Sequence, residues 1–196
     1  MNVLSLFDGM SCCQIALNKL GIVPDKYFAS EVDKYAMQVT MANFPNTIQI
    51  GDVRNVNGKD LGFIDLLAGG SPCQSFSFAR KRKGMATTDN VEELRTINPN
   101  IKFLLENVVM GEKWQKILTK AIGINPIKIN SALVSAQNRN RLYWTNIASE
   151  PNGLFGDLVC SIPQPKDKGI LLKDILETDV ADKYFLSGKA IERMNS

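Results

Sequence analysis

The sequence predicts an α/β fold, a mostly parallel sheet with helices on its faces and an antiparallel hairpin at its end. Three observations carry this. Short apolar runs alternate with segments of helical period along most of the chain, the pattern of strands joined by crossover helices. Glycine turns or acids follow directly on successive apolar runs, as they do at the carboxyl edge of an open sheet. Near the end, two alternating runs follow one another with no helix between them, so they are expected to pair antiparallel.

The first strand is Val3–Phe7, which runs into FDGMSCC. Cys13, Ala16, Leu17 and Leu20 then recur at i, i+3, i+4 and i+7, and Gly21 stops this helix. Lys26–Ser30 is the second strand; Asp33 is of the N-cap type and opens a helix to Asn43, with Pro45 beyond it. Thr47–Ile50, Phe63–Ala68 and Ile101–Leu105 follow as strands three to five. Trp114, Ile117, Leu118 and Ala121 repeat the helical spacing before Gly123. Ile127, Ile129, Ser131 and Leu133 then alternate, and after the polar turn QNRNR the run LYWTNI completes the hairpin. Beyond Ile147 the chain turns rich in Pro, Gly and charge, which places a core at 1–148 and an appendage at 149–196.

The totals exclude more than they assign. With 196 residues, 44% of them hydrophobic, the chain can bury one sizeable core. A net charge of +3 is weak evidence for a polyanionic partner. Cys12, Cys13, Cys73 and Cys160 form no CxxC pair, so no zinc site or disulfide framework is expected. No basic leader or membrane-length apolar run is visible, so a cytoplasmic protein is expected, with no membrane and no metal. There is no histidine, which removes Cys–His and Ser–His–Asp machinery.

At the first strand end, Gly9 lets a ligand approach the backbone. Glu31 ends the second strand, where an acid can accept from ribose hydroxyls, and Asp52 follows the third at the same edge. No GxxxxGK[ST] is present, so a ribose-bearing cofactor without a phosphate chain fits best. The fourth strand delivers GGSPCQS and the fifth delivers Glu106 and Asn107, bringing a thiol and a carboxyl group to adjacent strand ends. Taken alone, Cys73 reads as a packed loop cysteine; beside ENV it reads as a nucleophile. The run Arg80, Lys81, Arg82, Lys83 is either a solvated charged loop or a phosphate contact.

FDGMSC, EVDKYA, GDVRNV, GGSPCQSFS, LLENVVM and QNRNRLYW, in that order, resemble the successive motifs of DNA (cytosine-5)-methyltransferases over about the first three-quarters of the chain. The resemblance implies a Rossmann-like class I methyltransferase sheet, S-adenosylmethionine as cofactor and double-stranded DNA as partner. It matches Cys73 to the nucleophile that adds to carbon 6 of a flipped cytosine, and Glu106 to the acid at ring nitrogen 3. Arg139 matches the residue that holds the base, and Arg141 a support for that loop. Phe7, Asp8, Gly9, Met10, Glu31, Val32, Asp52, Val53, Pro72 and Asn107 match cofactor positions. Ser75, Gln137 and the basic run Arg80 to Lys83 match DNA contacts.

Three departures from the family stand out. Cys13 occupies a position usually held by Gly. Only MATTDNVEELRTINPN joins the basic loop to the fifth strand, which implies loss of a helix there. Neither a full target-recognition region nor the family's closing motif is found, so a second polypeptide supplying the missing part is one expectation. The alternative function is a truncated, catalytically impaired relative that binds cofactor or DNA as a regulator or as one part of a split enzyme. A thiol enzyme without a methyl donor is a third reading, weakened by the absent histidine.

Overall fold

The computed structural model describes residues 1–70, 93–153 and 156–194. Two compact units are formed: Met1–Asn130 with Asn140–Gln164, and Ser131–Arg139 with Pro165–Ser196.

The larger unit is built on β1 (Asn2–Leu6), β2 (Lys26–Ser30), β3 (Ile48–Gln49), β4 (Leu66–Gly70), β5 (Lys102–Val108), β6 (Ile127–Asn130) and β7 (Asn140–Thr145). They form one seven-stranded sheet in the order β3-β2-β1-β4-β5-β7-β6. β1 to β5 pair in parallel, whereas β7 runs antiparallel between β5 and β6. The α/β architecture, mostly parallel with an antiparallel end, is therefore present.

The strand period of two explains the two cores. Register sets Phe28, Leu4, Leu67 and Phe103 side by side on one face. There they join Trp144, and Leu118 and Ile122 of α4 (Glu112–Ile122), in the main core. Each fully buried side chain of this kind contributes about 1.5–3 kcal/mol. The alternate residues Val3, Tyr27 and Ala29 face the other way and pack with Leu17 of α1 (Cys12–Lys19), and Cys13 lies against them. α2 (Lys34–Asn43) starts where expected because the Asp33 carboxylate accepts from Tyr35 N at 2.8 Å and Ala36 N at 2.9 Å. A 3₁₀ turn (Val53–Asn55) and α3 (Gly58–Leu61) connect β3 to β4.

Several boundaries differ from the sequence expectation, each for a local reason. β4 starts at Leu66 and continues through both glycines; Phe63 stays half exposed, and the Asp65 carboxylate caps Asn2 N at 2.7 Å. β5 extends to Val108 because β7 pairs with its last residues, Glu106 with Tyr143 and Val108 with Arg141. The run 127–133 is strand only to Asn130, and Ser131–Leu133 is a 3₁₀ turn. The stripe of α1 is narrower than expected: Leu20 is exposed, and Gln14 is buried in its place. On α4, Ile117 is exposed and Ile122 buried. The segment before β5 carries a short helical stretch. Residues 93–97 are helical, Leu94 enters the main core, and the Asn98 amide donates to Ile64 O at 2.9 Å.

The larger unit also carries a two-stranded antiparallel ribbon, β8 (Ser149–Asn152) with β9 (Asp157–Cys160). The smaller unit contains the Ser131–Leu133 turn, further 3₁₀ turns at Leu172–Ile175 and Asp182–Tyr184, and α5 (Gly188–Met194). Lys168 N donates to Leu133 O at 2.9 Å within it. Among the described residues no helix is long and apolar enough to cross a membrane, and no group of three acidic, cysteine or histidine side chains is placed to hold a metal.

Candidate active site

The carboxyl ends of β1, β2 and β3 meet at a cavity of ≈ 220 Å³ lined by Phe7, Ser30, Glu31, Val32, Gly51, Asp52, Val53 and Arg54. Five of these are cofactor positions expected from sequence: Phe7, Glu31, Val32, Asp52 and Val53. The cavity is smaller than the roughly 300–1,000 Å³ that encloses a drug-sized ligand.

Backbone geometry shapes its floor. Phe7 and Ser11 adopt φ of 55° and 59°, a left-handed conformation rare for side chains with a Cβ, and Gly9 between them has φ of 59°. A buried polar network holds this turn. The Asp8 carboxylate accepts from Tyr27 Oη at 2.6 Å and from the Ser11 hydroxyl. Gln14 Nε2 donates to Ser11 Oγ at 3.1 Å and to Thr47 Oγ1 at 2.8 Å. Burial, then the neighbouring Cys13 and Asp8, push the Tyr27 hydroxyl far above its ordinary range, so it stays a donor. Burial likewise pushes the Cys13 thiol up, partly offset by its bond to Tyr27. Asp8, 8% exposed, thus points into the protein. Met10 is 55% exposed beside the turn and outside the cavity lining.

Glu31 ties β2 to the same turn. Its Oε2 accepts from Gly9 N at 2.8 Å, and its Oε1 from Val32 N at 2.7 Å and Asp33 N at 2.9 Å. A carboxylate offers about four acceptor positions, so three backbone bonds leave one for a ligand hydroxyl. Asp52 caps the turn after β3 by accepting from Arg54 N at 2.9 Å, and its carboxylate is forked by the Arg54 guanidinium. Sequence reasoning passed over Arg54; its position two residues after Asp52 on a tight turn was the available signal.

The other half of the site lies where β4 meets β5. Gly70 and Glu106 are register partners, and a Cβ on Gly70 would stand 3.1 Å from Glu106 Oε2. The carboxylate therefore covers the strand end from which GGSPCQ departs. Arg141 Nε sits 2.7 Å from Glu106 Oε1. It lies off the direction of a hydrogen bond, since this buried Nε has no hydrogen-bond partner, and the contact is an ion pair. Register explains it: β7 runs antiparallel beside β5, with Tyr143 opposite Glu106 and Arg141 two residues earlier. Asn107 is 4% exposed, with its Oδ1 accepting from Val108 N at 2.8 Å, and it does not line the cavity. Gln137 and Arg139 belong to the smaller unit, where Ser131 Oγ donates to Gln137 O at 2.7 Å and Ser131 N to Arg139 O at 3.0 Å. Pro72, Cys73, Ser75 and the basic run Arg80 to Lys83 lie outside the described residues.

Residues 1–125 match the family model described as C-5 cytosine-specific DNA methylase. The orphan methyltransferase M.SPRI of Bacillus phage SPR is 34% identical over 172 residues, covering 76% of this chain and 38% of that protein. The type II methyltransferase M1.ScrFI of Lactococcus lactis subsp. cremoris is 30% identical over 203 residues, covering 95% of this chain and 51% of that protein. The chain thus spans about half or less of the length of these relatives. A solved structure of a Spodoptera frugiperda DNMT2 mutant superposes with a TM-score of 0.65 over 93% of this chain and 61% of that one, at 21% identity, a likeness of fold.

Proposed function

The chain belongs to the C-5 cytosine-specific DNA methylase family, and from that premise we propose that it transfers a methyl group from S-adenosylmethionine to carbon 5 of cytosine in DNA through a covalent Cys73 adduct. The observation that carries this reading is the Glu106 carboxylate lying over Gly70, the strand end three residues before Cys73. The sequence places Cys73 three residues beyond that strand end, which supports reading thiol and carboxyl group as partners.

The residues of the cavity fit the cofactor. Asp52 presents a carboxylate to an amino group, the remaining acceptor position of Glu31 suits a ribose hydroxyl, and Phe7, Val32 and Val53 offer apolar surface to a base. When bound, S-adenosylmethionine supplies an electrophilic methyl group on a sulfonium. The protein's part is to make carbon 5 nucleophilic. Carbon 5 of cytosine attacks poorly, so the Cys73 thiolate adds to carbon 6 and pushes electron density towards carbon 5; once carbon 5 is methylated, loss of its proton to a base and breakage of the carbon 6–sulfur bond restore the ring and release Cys73. Carrying a proton, the Glu106 carboxyl group donates to ring nitrogen 3 and so stabilises the negative charge that gathers there. Arg141 acts as a positioning residue, holding that carboxyl group from the β7 side. Arg139 and Gln137 contact the base and its strand. Because attack comes from a ring face that stacking hides, the base must leave the duplex. Ser75 and the basic residues Arg80, Lys81, Arg82 and Lys83 hold backbone phosphates without reading sequence.

The test is transfer of radiolabelled methyl groups to mixed-sequence DNA by the intact chain and by Cys73→Ala. Transfer is expected from the first and none from the second. Transfer that survives the substitution would sink the covalent mechanism, and no transfer by the intact chain would overturn the assigned activity. DNA containing 5-fluorocytosine should trap a covalent complex that Cys73→Ala does not form.

A further inference from the structure

We propose that Thr40 is a positioning residue for the cofactor pocket, acting from α2 through the carbonyl of Gly9 to fix the glycine turn on which Glu31 rests. The inference rests on the reading of this cavity as the adenosine pocket, and adds to it a side chain that does not line the cavity.

The starting point is a buried hydroxyl with a choice of acceptors. Thr40 is 0% exposed and is the buried residue of α2. A threonine inside a helix can bond its own helix at the carbonyl four residues back, here that of Ala36, and doing so orders nothing outside the helix. Thr40 Oγ1 instead donates to Gly9 O at 3.3 Å, across 31 residues of sequence. The hydroxyl therefore ties α2 to the turn after β1.

Gly9 is held at both of its backbone groups. Its N–H donates to Glu31 Oε2 at 2.8 Å, and its carbonyl accepts from Thr40. A Cβ on Gly9 would meet nothing within 4 Å, so on that side no neighbour packs against the residue and its two backbone bonds carry its placement. The φ of 59° is one that glycine adopts without strain, which leaves the turn free to relax when a bond is lost. Glu31 is the link to the ligand: it lines the cavity and shares its carboxylate between Gly9 N and the amides of Val32 and Asp33. A shift of Gly9 re-aims the acceptor that the pocket offers to a ribose.

A positioning role and a packing role separate by what the effect follows. Thr40→Val keeps the shape and loses the hydroxyl. Thr40→Ser keeps the hydroxyl and loses a methyl group, whereas Thr40→Ala loses both. Stability responds to the missing methyl group, so Thr40→Ser and Thr40→Ala should both melt below the parent. Adenosine affinity should instead follow the hydroxyl.

The experiment is calorimetric titration of adenosine into the full chain and the three variants, at a temperature where thermal unfolding shows each to be folded. Thr40→Val and Thr40→Ala are expected to bind about two- to tenfold more weakly than the parent, with Thr40→Ser restored to within about twofold. Parent-like affinity in Thr40→Val, or weakening of Thr40→Ser equal to that of Thr40→Ala, would overturn the proposal while leaving the adenosine pocket intact. Should Thr40→Val not fold, the Ser and Ala variants, which differ by the hydroxyl alone, make the same comparison. Failure of the parent to bind adenosine would remove the pocket reading itself, and this inference with it.

Discussion

Tyr27→Phe removes one oxygen and tests the network beneath the glycine turn. Tyr27 is 4% exposed and Asp8 8% exposed, and the hydroxyl supplies one of the two side-chain donors to a carboxylate that water barely reaches. Loss of a hydrogen bond to a charged buried group costs about 1.5–3 kcal/mol. In a chain of this size each kcal/mol moves the melting temperature by about 2–4 °C, so a fall of about 3–12 °C is expected. The same change frees the Asp8–Ser11 segment, whose Ser11 sits at a φ of 59°, so adenosine affinity should fall as well. Thermal unfolding of the parent, Tyr27→Phe, Asp8→Asn and the double variant gives the coupling directly. A coupling of about 1–2 kcal/mol is expected for a contacting pair. A melting temperature within about 1 °C of the parent, or additive single effects, would refute the reasoning that this bond holds the turn.

Two further outcomes follow from the site. Gly70→Ala should leave folding nearly intact but force the Glu106 carboxylate away from a Cβ that would stand 3.1 Å from Oε2; methyl transfer should fall about three- to tenfold, and unchanged transfer would separate Glu106 from the chemistry. Iodoacetamide labelling followed by peptide mapping should modify the exposed Cys12 before Cys13, whose thiol burial holds protonated. Cys13 labelling should gain on Cys12 only as pH rises past the ordinary thiol range, and the reverse order would contradict the placement of Cys13 against Tyr27.

How much was legible in the sequence depended on whether the signal was local. β2 and α2 match their expected bounds because KYFAS is a self-contained apolar run and Asp33 caps its own helix. β4 was misplaced because glycines ordinarily end strands. Here Gly69 lies close to its neighbours, with a Cβ position 3.4 Å from that of Leu6, so a small residue suits the sheet interior. The ends of β5 and β6 depended on β7, a partner that only the fold brings together. The β8–β9 ribbon went unseen because SEPN, with an internal proline and exposed throughout, carries no strand signal. At the site, the acids at the ends of β2 and β3 were readable from spacing. The Glu106–Arg141 and Asp52–Arg54 pairs were not, since each depends on side-chain geometry rather than on residue type.

The position of β7 has a consequence for how this chain acquires its sheet. β1 to β5 can assemble in the order in which they are synthesised, each parallel neighbour joining a strand already made. β6 cannot, because its sheet partner β7 lies downstream in sequence, after residues 131–139. While the chain grows, β6 waits with unpaired amides and carbonyls until Asn140–Thr145 emerges and inserts beside β5. The last step of sheet formation is thus the one that brings Arg141 to Glu106, so the acid at the centre of the proposed chemistry acquires its counter-charge only when the rest of the sheet is already in place.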